Sequence, residues 1–99
     1  MNSKLKDEHT DRLFEAILLL DNVDECYAFF EDIGTTSEIK AFAQRLEVAK
    51  MLRTGSTYTD ICEKTGASTA TISRVNRALN YGADGYKMIL DRLEEKNKD

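Results

Sequence analysis

The sequence predicts an all-α protein that forms a single domain over residues 1–99. Proline is absent and glycine occurs only 5 times in 99 residues, so few positions interrupt a helix. Hydrophobic residues make up 41% of the chain and charged residues 32%, which is typical of a folded domain. Apolar side chains also recur at helical spacing along most of the chain. Because short helices are unstable alone, each of them must cover its apolar stripe with a neighbour.

The first two helices are separated by a polar break. A helix is predicted over residues 9–20, where apolar side chains follow helical spacing. A second helix follows Asn22, which forms a capping-box pattern with Glu25 and so marks a helix start, and Gly34 ends it. The apolar stripes of the two helices are Leu13, Phe14, Ile17 and Leu18, and then Val23, Cys26, Tyr27, Phe30 and Ile33.

Two more helices are predicted outside residues 57–79, a long third helix and a last helix near the end of the sequence. Thr35 and Glu38 form a second capping box, and the helix that they start ends near Gly55. The last helix is predicted over residues 84–96. One small domain has difficulty burying all the apolar faces of the chain, which favours a homodimer over a closed monomer. The stripes are Ile39, Phe42, Leu46, Ala49 and Leu52 in the third helix, and Tyr86, Ile89, Leu90 and Leu93 in the last.

Residues 57–79 predict a helix-turn-helix. A short helix starts after Thr57 and ends at Thr65, Gly66 makes the tight turn, and Ser68 caps the next helix. The spacing of the buried positions fits the two crossing helices of this motif. The residues predicted to face the core are Ile61, Cys62 and Ala67 before the second helix, and Ile72, Val75 and Leu79 within it.

The opposite face of the second helix suits a DNA groove. Its side chains are small or carry a hydroxyl near the helix start and are basic further along, so they permit close approach and can bind phosphates or base edges. A helical hairpin that only completes a core is the alternative. Four features match the motif together: a small residue, Cys62, where the two helices cross, the glycine in the turn, the serine that caps the second helix, and the three apolar residues on its inner face. Their combination favours DNA binding. The exposed set is Thr69, Ala70, Ser73, Arg74 and Arg77.

The charge distribution is uneven. The chain carries a net charge of −4, whereas residues 53–77 carry more basic than acidic side chains. A positive segment on an acidic protein arises by chance, or it forms a phosphate-facing surface whose acidic surroundings limit indiscriminate DNA binding. Charge alone leaves both interpretations open. The charged residues of the segment are Arg53, Lys64, Arg74 and Arg77, and Asp60 and Glu63.

Other classes of function are disfavoured. No apolar stretch approaches the roughly 20 residues of a membrane-spanning helix, and residues 1–11 lack the pattern of a secretion signal, so we expect a cytoplasmic protein. Cys26 and Cys62 lie far apart and His9 is the only histidine, which argues against a zinc module and for cysteines that are small, buried apolar residues. No nucleophile–base pair, metal-ligand set or phosphate loop indicates an enzyme, and no cofactor is expected.

The helix-turn-helix segment resembles a known family. Residues 66–74 resemble the recognition segment of the Trp repressor family, and the string over residues 70–74, Ala-Thr-Ile-Ser-Arg, is its most specific part. Residues 75–82 resemble the YerC-type Trp repressor-like proteins more closely. Residues 35–46, with Glu38, Ala41 and Arg45, are similar to the start of the family's third helix. The resemblance covers residues 35–95; the preceding 34 residues match only as two helices.

The resemblance implies about six helices and an intertwined homodimer. Its two recognition helices would enter successive major grooves, so the operator is expected to be a near-palindrome with half-sites roughly 34–36 Å apart. In the Trp repressor, the indole of tryptophan lies between two arginines, which Arg45 and Arg74 match. Val75 replaces a glycine there and is expected to fill the space of the ring, so we expect that tryptophan is not the effector. An arginine of the family that reaches a base is replaced by Thr59.

Together these observations predict a dimeric transcriptional regulator, with repression favoured over activation only through the family. A protein–protein adaptor that keeps the helix-turn-helix as a scaffold is the alternative, and the acidic character of the chain is consistent with it. Arg45, Arg74 and Val75 define the possible effector pocket. The residues expected to contact DNA are Arg53, Tyr58, Thr59, Ser68, Thr69, Ala70, Thr71, Ser73, Arg74 and Arg77.

Overall fold

The computed structural model of the protein describes residues 3–98, which form six helices and no strand. The all-α prediction is therefore confirmed. The chain divides into one compact unit that ends at Thr36 and a second that begins at Ser37. None of the helices over residues 3–98 is long and apolar enough to cross a membrane. The helices are α1 (Glu8–Ile17), α2 (Val23–Ile33), α3 (Thr36–Arg53), α4 (Tyr58–Thr65), α5 (Thr69–Tyr81) and α6 (Gly85–Lys96).

In the first unit, α1 begins and ends earlier than the sequence predicted. Asp7 caps it, because its carboxylate accepts a hydrogen bond from the backbone N–H of Thr10 at 2.7 Å. The helix ends at Ile17 rather than at residue 20, and Leu18 and Leu19 lie in the following turn with 82% and 79% of their surface exposed. The predicted stripe therefore loses Leu18, because the backbone turns before that residue can join the helical face.

The start of α2 follows the prediction. Asn22 Oδ1 accepts from the N–H of Glu25 at 2.9 Å, and Glu25 reaches back to the N–H of Asp21 at 2.9 Å. Gly34 follows the last helical residue, as predicted. No described residue of α1 or α2 is buried, although both helices carry apolar side chains.

The hydrophobic core lies in the second unit. It combines the end of α3 with α4, α5 and α6, and the half-buried Leu52, Cys62 and Tyr86 pack against it. Both cysteines are free thiols and are half-buried rather than fully buried. The core residues are Val48, Ala49, Met51, Ile61, Ala67, Ile72, Val75, Leu79 and Leu90.

The buried face of α3 differs from the predicted stripe. Ala49 is buried as expected, whereas Phe42 remains 57% exposed and Leu46 is also exposed. Val48 and Met51 are buried in their place, because only the C-terminal half of α3 packs into the core of this unit. The N-terminal half of α3 thus presents apolar side chains to solvent.

The helix-turn-helix forms as the sequence predicted. The hydroxyl of Thr57 accepts from the N–H of Asp60 at 3.2 Å and starts α4, and Gly66 adopts a left-handed backbone with φ of 75°. Ser68 then caps α5 by accepting from the N–H of Thr71 at 3.1 Å.

The predicted apolar stripe of α6 is buried only in part. Leu90 is buried, whereas Ile89 and Leu93 remain exposed.

Candidate nucleic-acid interface

The second helix of the helix-turn-helix, α5, is fixed on its inner face by apolar side chains. Ile72 is fully buried, Val75 is 2% exposed and Leu79 is 8% exposed, so the predicted triplet forms the inner face of the helix. Ile61 of α4 and Ala67 of the turn are buried in the same core. Because these residues hold both helices on one core, the outer face of α5 has a defined orientation within its unit.

The turn between α4 and α5 is held by side-chain hydrogen bonds. The hydroxyl of Thr65 donates to the carbonyl of Ile61 at 2.7 Å and accepts from the N–H of Ala67 at 3.1 Å. Gln44 of α3 donates from Nε2 to the carbonyl of Thr65 at 3.0 Å. The end of α4 is therefore tied both to its own last turn and to α3.

The outer face of α5 is open to solvent. Thr69, Ala70, Ser73, Arg74 and Arg77 are all exposed, as the helical spacing predicted. Among residues 3–98, none of the ion pairs or hydrogen bonds involves the guanidinium of Arg74 or of Arg77. Two uncompensated positive charges thus stand beside small and hydroxyl-bearing side chains.

The other α4–α5 residues predicted to contact DNA lie at the helix starts. Ser68 and Thr71 serve the cap of α5, because the Ser68 hydroxyl accepts from the N–H of Thr71 and donates to the Thr71 hydroxyl at 3.1 Å. Thr71 is half-buried, and Tyr58 and Thr59 are exposed in the first turn of α4. Contact of these four residues with DNA stays a prediction.

Arg53 is engaged elsewhere in the fold. Its guanidinium forms an ion pair with Asp91, lies 3.6 Å from Glu94 Oε1 and donates to the carbonyl of Lys87 at 3.4 Å. The hydrogen bond to Asp91 raises the pKa of Arg53 above its ordinary value. Two carboxylates of α6 therefore compensate this charge, in contrast to the open arginines of α5.

The residues of the predicted effector pocket have different environments. Val75 belongs to the core, and the guanidinium of Arg45 lies 5.8 Å from the centre of the Phe42 ring, which is a cation–π distance. Arg74 is exposed. A groove of about 460 Å³ lies at another place, between the end of α3, α5 and α6, and it contains none of the three residues. Its lining residues are Leu52, Arg53, Asn76, Leu79, Asn80, Lys87 and Asp91.

The contact of Gln44 with the helix-turn-helix is one that the sequence did not predict. Its bond spans 21 positions of the chain, so no local spacing reveals it. One partial indication exists, because Gln44 lies four residues before the buried Val48 and so on the same face of α3.

The fold and this face define an all-helical protein with an exposed helix-turn-helix. The family model for Trp repressor protein matches residues 8–94. The chain belongs to the Trp repressor family, a family of helix-turn-helix regulators, and within it to the YerC-type proteins. The match extends the resemblance seen in the sequence into α1 and α2.

The comparisons with individual proteins agree with this assignment. The chain is 59% identical over 92 residues to the uncharacterized protein YerC of Bacillus subtilis (strain 168), covering 93% of this chain and 88% of the relative. The crystal structure of a TrpR-like protein from Eubacterium eligens ATCC 27750 has a TM-score of 0.90 and 61% identity, covering 94% of this chain and 96% of that one. The structure titled "Crystal structure of a putative Trp repressor from Staphylococcus aureus" has a TM-score of 0.88 and 55% identity, covering 92% of this chain and 91% of that one.

Proposed function

We propose that this protein is a transcriptional regulator that binds a near-palindromic operator as a homodimer through its helix-turn-helix. The observation that carries the proposal is the outer face of α5, where Arg74 and Arg77 remain uncompensated while the buried triplet holds the helix from behind. Repression then follows from occlusion of a promoter. The protein acts in the cytoplasm as a binding protein and not as an enzyme, and it needs no cofactor.

Two groups of side chains on the outer face of α5 bind different parts of the duplex. Thr69, Ala70 and Ser73 face base edges, directly or through water, because small side chains near the helix start allow close approach. Arg74 and Arg77 bind phosphates. Arg53 stabilises the fold and does not bind DNA. A phosphate would first have to displace the two carboxylates of α6 that pair with its guanidinium.

The remaining predicted contacts support this face at its edges. Ser68 and Thr71 keep the first turn of α5 in place, and their hydroxyls lie next to the helix N-terminus that approaches the duplex. Tyr58 contacts the phosphate backbone from the first turn of α4. Thr59 is too short to copy the base contact of the family's arginine, so the operator differs in sequence from that of the Trp repressor.

Tryptophan is not the corepressor in this proposal. Val75 occupies core space next to Arg74 at the position where the Trp repressor has glycine, and a β-branched side chain there leaves less room for an indole. Calorimetric titration of the protein with L-tryptophan is expected to give no binding heat in the micromolar range. Micromolar binding would overturn this part of the proposal.

DNA binding is tested with an operator selected from random duplexes, which we expect to be a near-palindrome. Affinity for this operator is expected to fall steeply with salt concentration. Arg77→Ala is expected to weaken binding and to lower the salt slope by about 1 for each phosphate that the variant no longer neutralises, or about 2 per dimer.

Arg92→Ala is the charge-matched control, because Arg92 is an exposed residue of α6 and lies outside the helix-turn-helix. It is expected to leave the salt slope unchanged. The alternative function is a protein–protein adaptor, with which the net charge of −4 is consistent. An adaptor would yield no selected operator and would show no difference between the two arginine variants, and that outcome would refute the regulator.

A further inference from the structure

We propose that Gln44 is a positioning residue that locks the turn of the helix-turn-helix, so that α5 is held ready for DNA without a small molecule. The inference rests on the proposed function, since it concerns how the same face is oriented. Its basis is the hydrogen bond from Gln44 Nε2 to the carbonyl of Thr65, 3.0 Å long and partly shielded from solvent.

The carbonyl that Gln44 binds is one that α4 itself cannot satisfy. Thr65 is the last residue of α4, and the last four carbonyls of an α-helix have no partner within it. Gly66 then turns the chain with a positive φ of 75°. A Cβ atom at Gly66 would lie 4.0 Å from Gln44 Nε2, so the Gln44 side chain packs directly over the turn.

Thr65 connects this bond to the start of α5. Its hydroxyl accepts from the N–H of Ala67 while it donates to Ile61. Ala67 is buried, and Ser68, the cap of α5, follows it. A displacement at Thr65 therefore changes the path of the two residues that set the direction of the recognition helix.

The other end of the connection is anchored in the core. Val48 and Ala49 are fully buried, and Gln44 precedes Val48 by one helical turn on the same face of α3. The side chain of Gln44 thus extends from a fixed part of α3 to the turn. Together with the buried Val75, it gives the protein an internal support for α5.

The inference is tested with Gln44→Met, which keeps a similar length but removes the donor. Protection against hydrogen exchange is measured by NMR for the amides of Gly66 and Ala67, which bond to Cys62 O and to Thr65 Oγ1. We expect these amides to exchange faster in the variant, and the affinity for the selected operator to fall about 3- to 10-fold, the value of one hydrogen bond. The salt slope is expected to stay unchanged, because Gln44 does not contact phosphate.

Two further variants keep the test decisive. Gln44→Asn retains the amide group but is too short to reach Thr65, so it is expected to reproduce both effects even if Gln44→Met folds poorly. Glu47→Met, at an exposed position of α3, is expected to leave the turn amides protected as before. Unchanged exchange in both Gln44 variants would refute the inference, as would an altered salt slope, which would indicate direct DNA contact.

The failure of this inference differs from that of the proposed function. If the wild-type protein selects no operator, the regulator is refuted, while the exchange of the Gly66 and Ala67 amides still reports whether Gln44 holds the turn. If the wild-type protein binds its operator and the Gln44 variants bind it equally well, the positioning role is refuted and the regulator stands.

Discussion

At the scale of single residues, the arginines of the positive segment differ in whether a carboxylate compensates their charge. Arg53 is paired with two carboxylates, whereas Arg74 and Arg77 have no ion pair within residues 3–98. Spacing along the sequence placed all three in one positive segment. The structure separates them because Asp91 and Glu94 lie about 40 positions further along the chain, next to Arg53 only.

Asp7 is the residue whose ionisation controls a helix start. The N–H of Thr10 donates to its carboxylate and holds the pKa of Asp7 below its ordinary value of 3.8. A carboxyl group with a lowered pKa stabilises the folded state above its unfolded pKa, and this stabilisation is lost as the pH falls through the folded pKa. Acidification below about pH 4 is therefore expected to loosen the first turn of α1.

Hydrogen exchange at Thr10 measures this effect. In the wild-type protein, protection of the Thr10 amide is expected to decrease as Asp7 becomes protonated, after correction for the intrinsic exchange rate. Asp7→Asn keeps an oxygen acceptor but cannot titrate, so its protection is expected to be independent of pH in this range. If the wild type and Asp7→Asn behave identically, the carboxylate does not cap α1 in solution.

At the scale of elements, the end of α5 depends on the absence of a side chain at Gly82. A Cβ atom there would lie 2.4 Å from the carbonyl oxygen of Ala78, which accepts the N–H of Gly82 at 2.9 Å. Gly82→Ala is therefore expected to destabilise the protein by about 1–3 kcal/mol, the usual cost of forced overpacking. Thermal and urea unfolding measure the change.

Gly85 provides the matched control. It is the first residue of α6, and a Cβ atom there would meet nothing within 4 Å. Gly85→Ala is expected to leave stability unchanged or to raise it by up to about 1 kcal/mol, because alanine loses less backbone entropy in a helix. Equal effects of the two substitutions would contradict the role of Gly82 at the end of α5.

The sequence predicted best those elements whose boundaries are set by local chemistry. Thr57, Gly66 and Ser68 define the ends of α4 and the start of α5, and each acts on residues within four positions of itself. The buried face of α3 was predicted only in part: Ala49 is buried as expected, whereas Val48 and Met51 were missed, because helical spacing does not reveal that only half of the helix meets the core. Gln44 was missed for a related reason, since its partner is far away in sequence.

At the scale of the whole molecule, the exposed apolar side chains favour a homodimer. Leu18, Leu19, Phe42, Ile89 and Leu93 are all exposed in the single chain. Exposed apolar side chains of this kind stabilise an interface when association buries them. A two-fold dimer would also supply the second recognition helix that a near-palindromic operator requires.

Leu18→Glu tests the dimer with little effect on the fold of the chain, because this side chain is 82% exposed. A two-fold interface contains each residue twice, so two buried leucines would contribute about 3–6 kcal/mol to association. We therefore expect the variant to weaken dimerisation at least about 100-fold in sedimentation equilibrium, and operator affinity to fall with it. Leu5→Glu, at an apolar position that is 64% exposed outside the six helices, is the control and is expected to change neither. A wild-type protein that sediments as a monomer at the concentrations where it binds its operator would refute the dimer, and recognition would then depend on a single α5 helix.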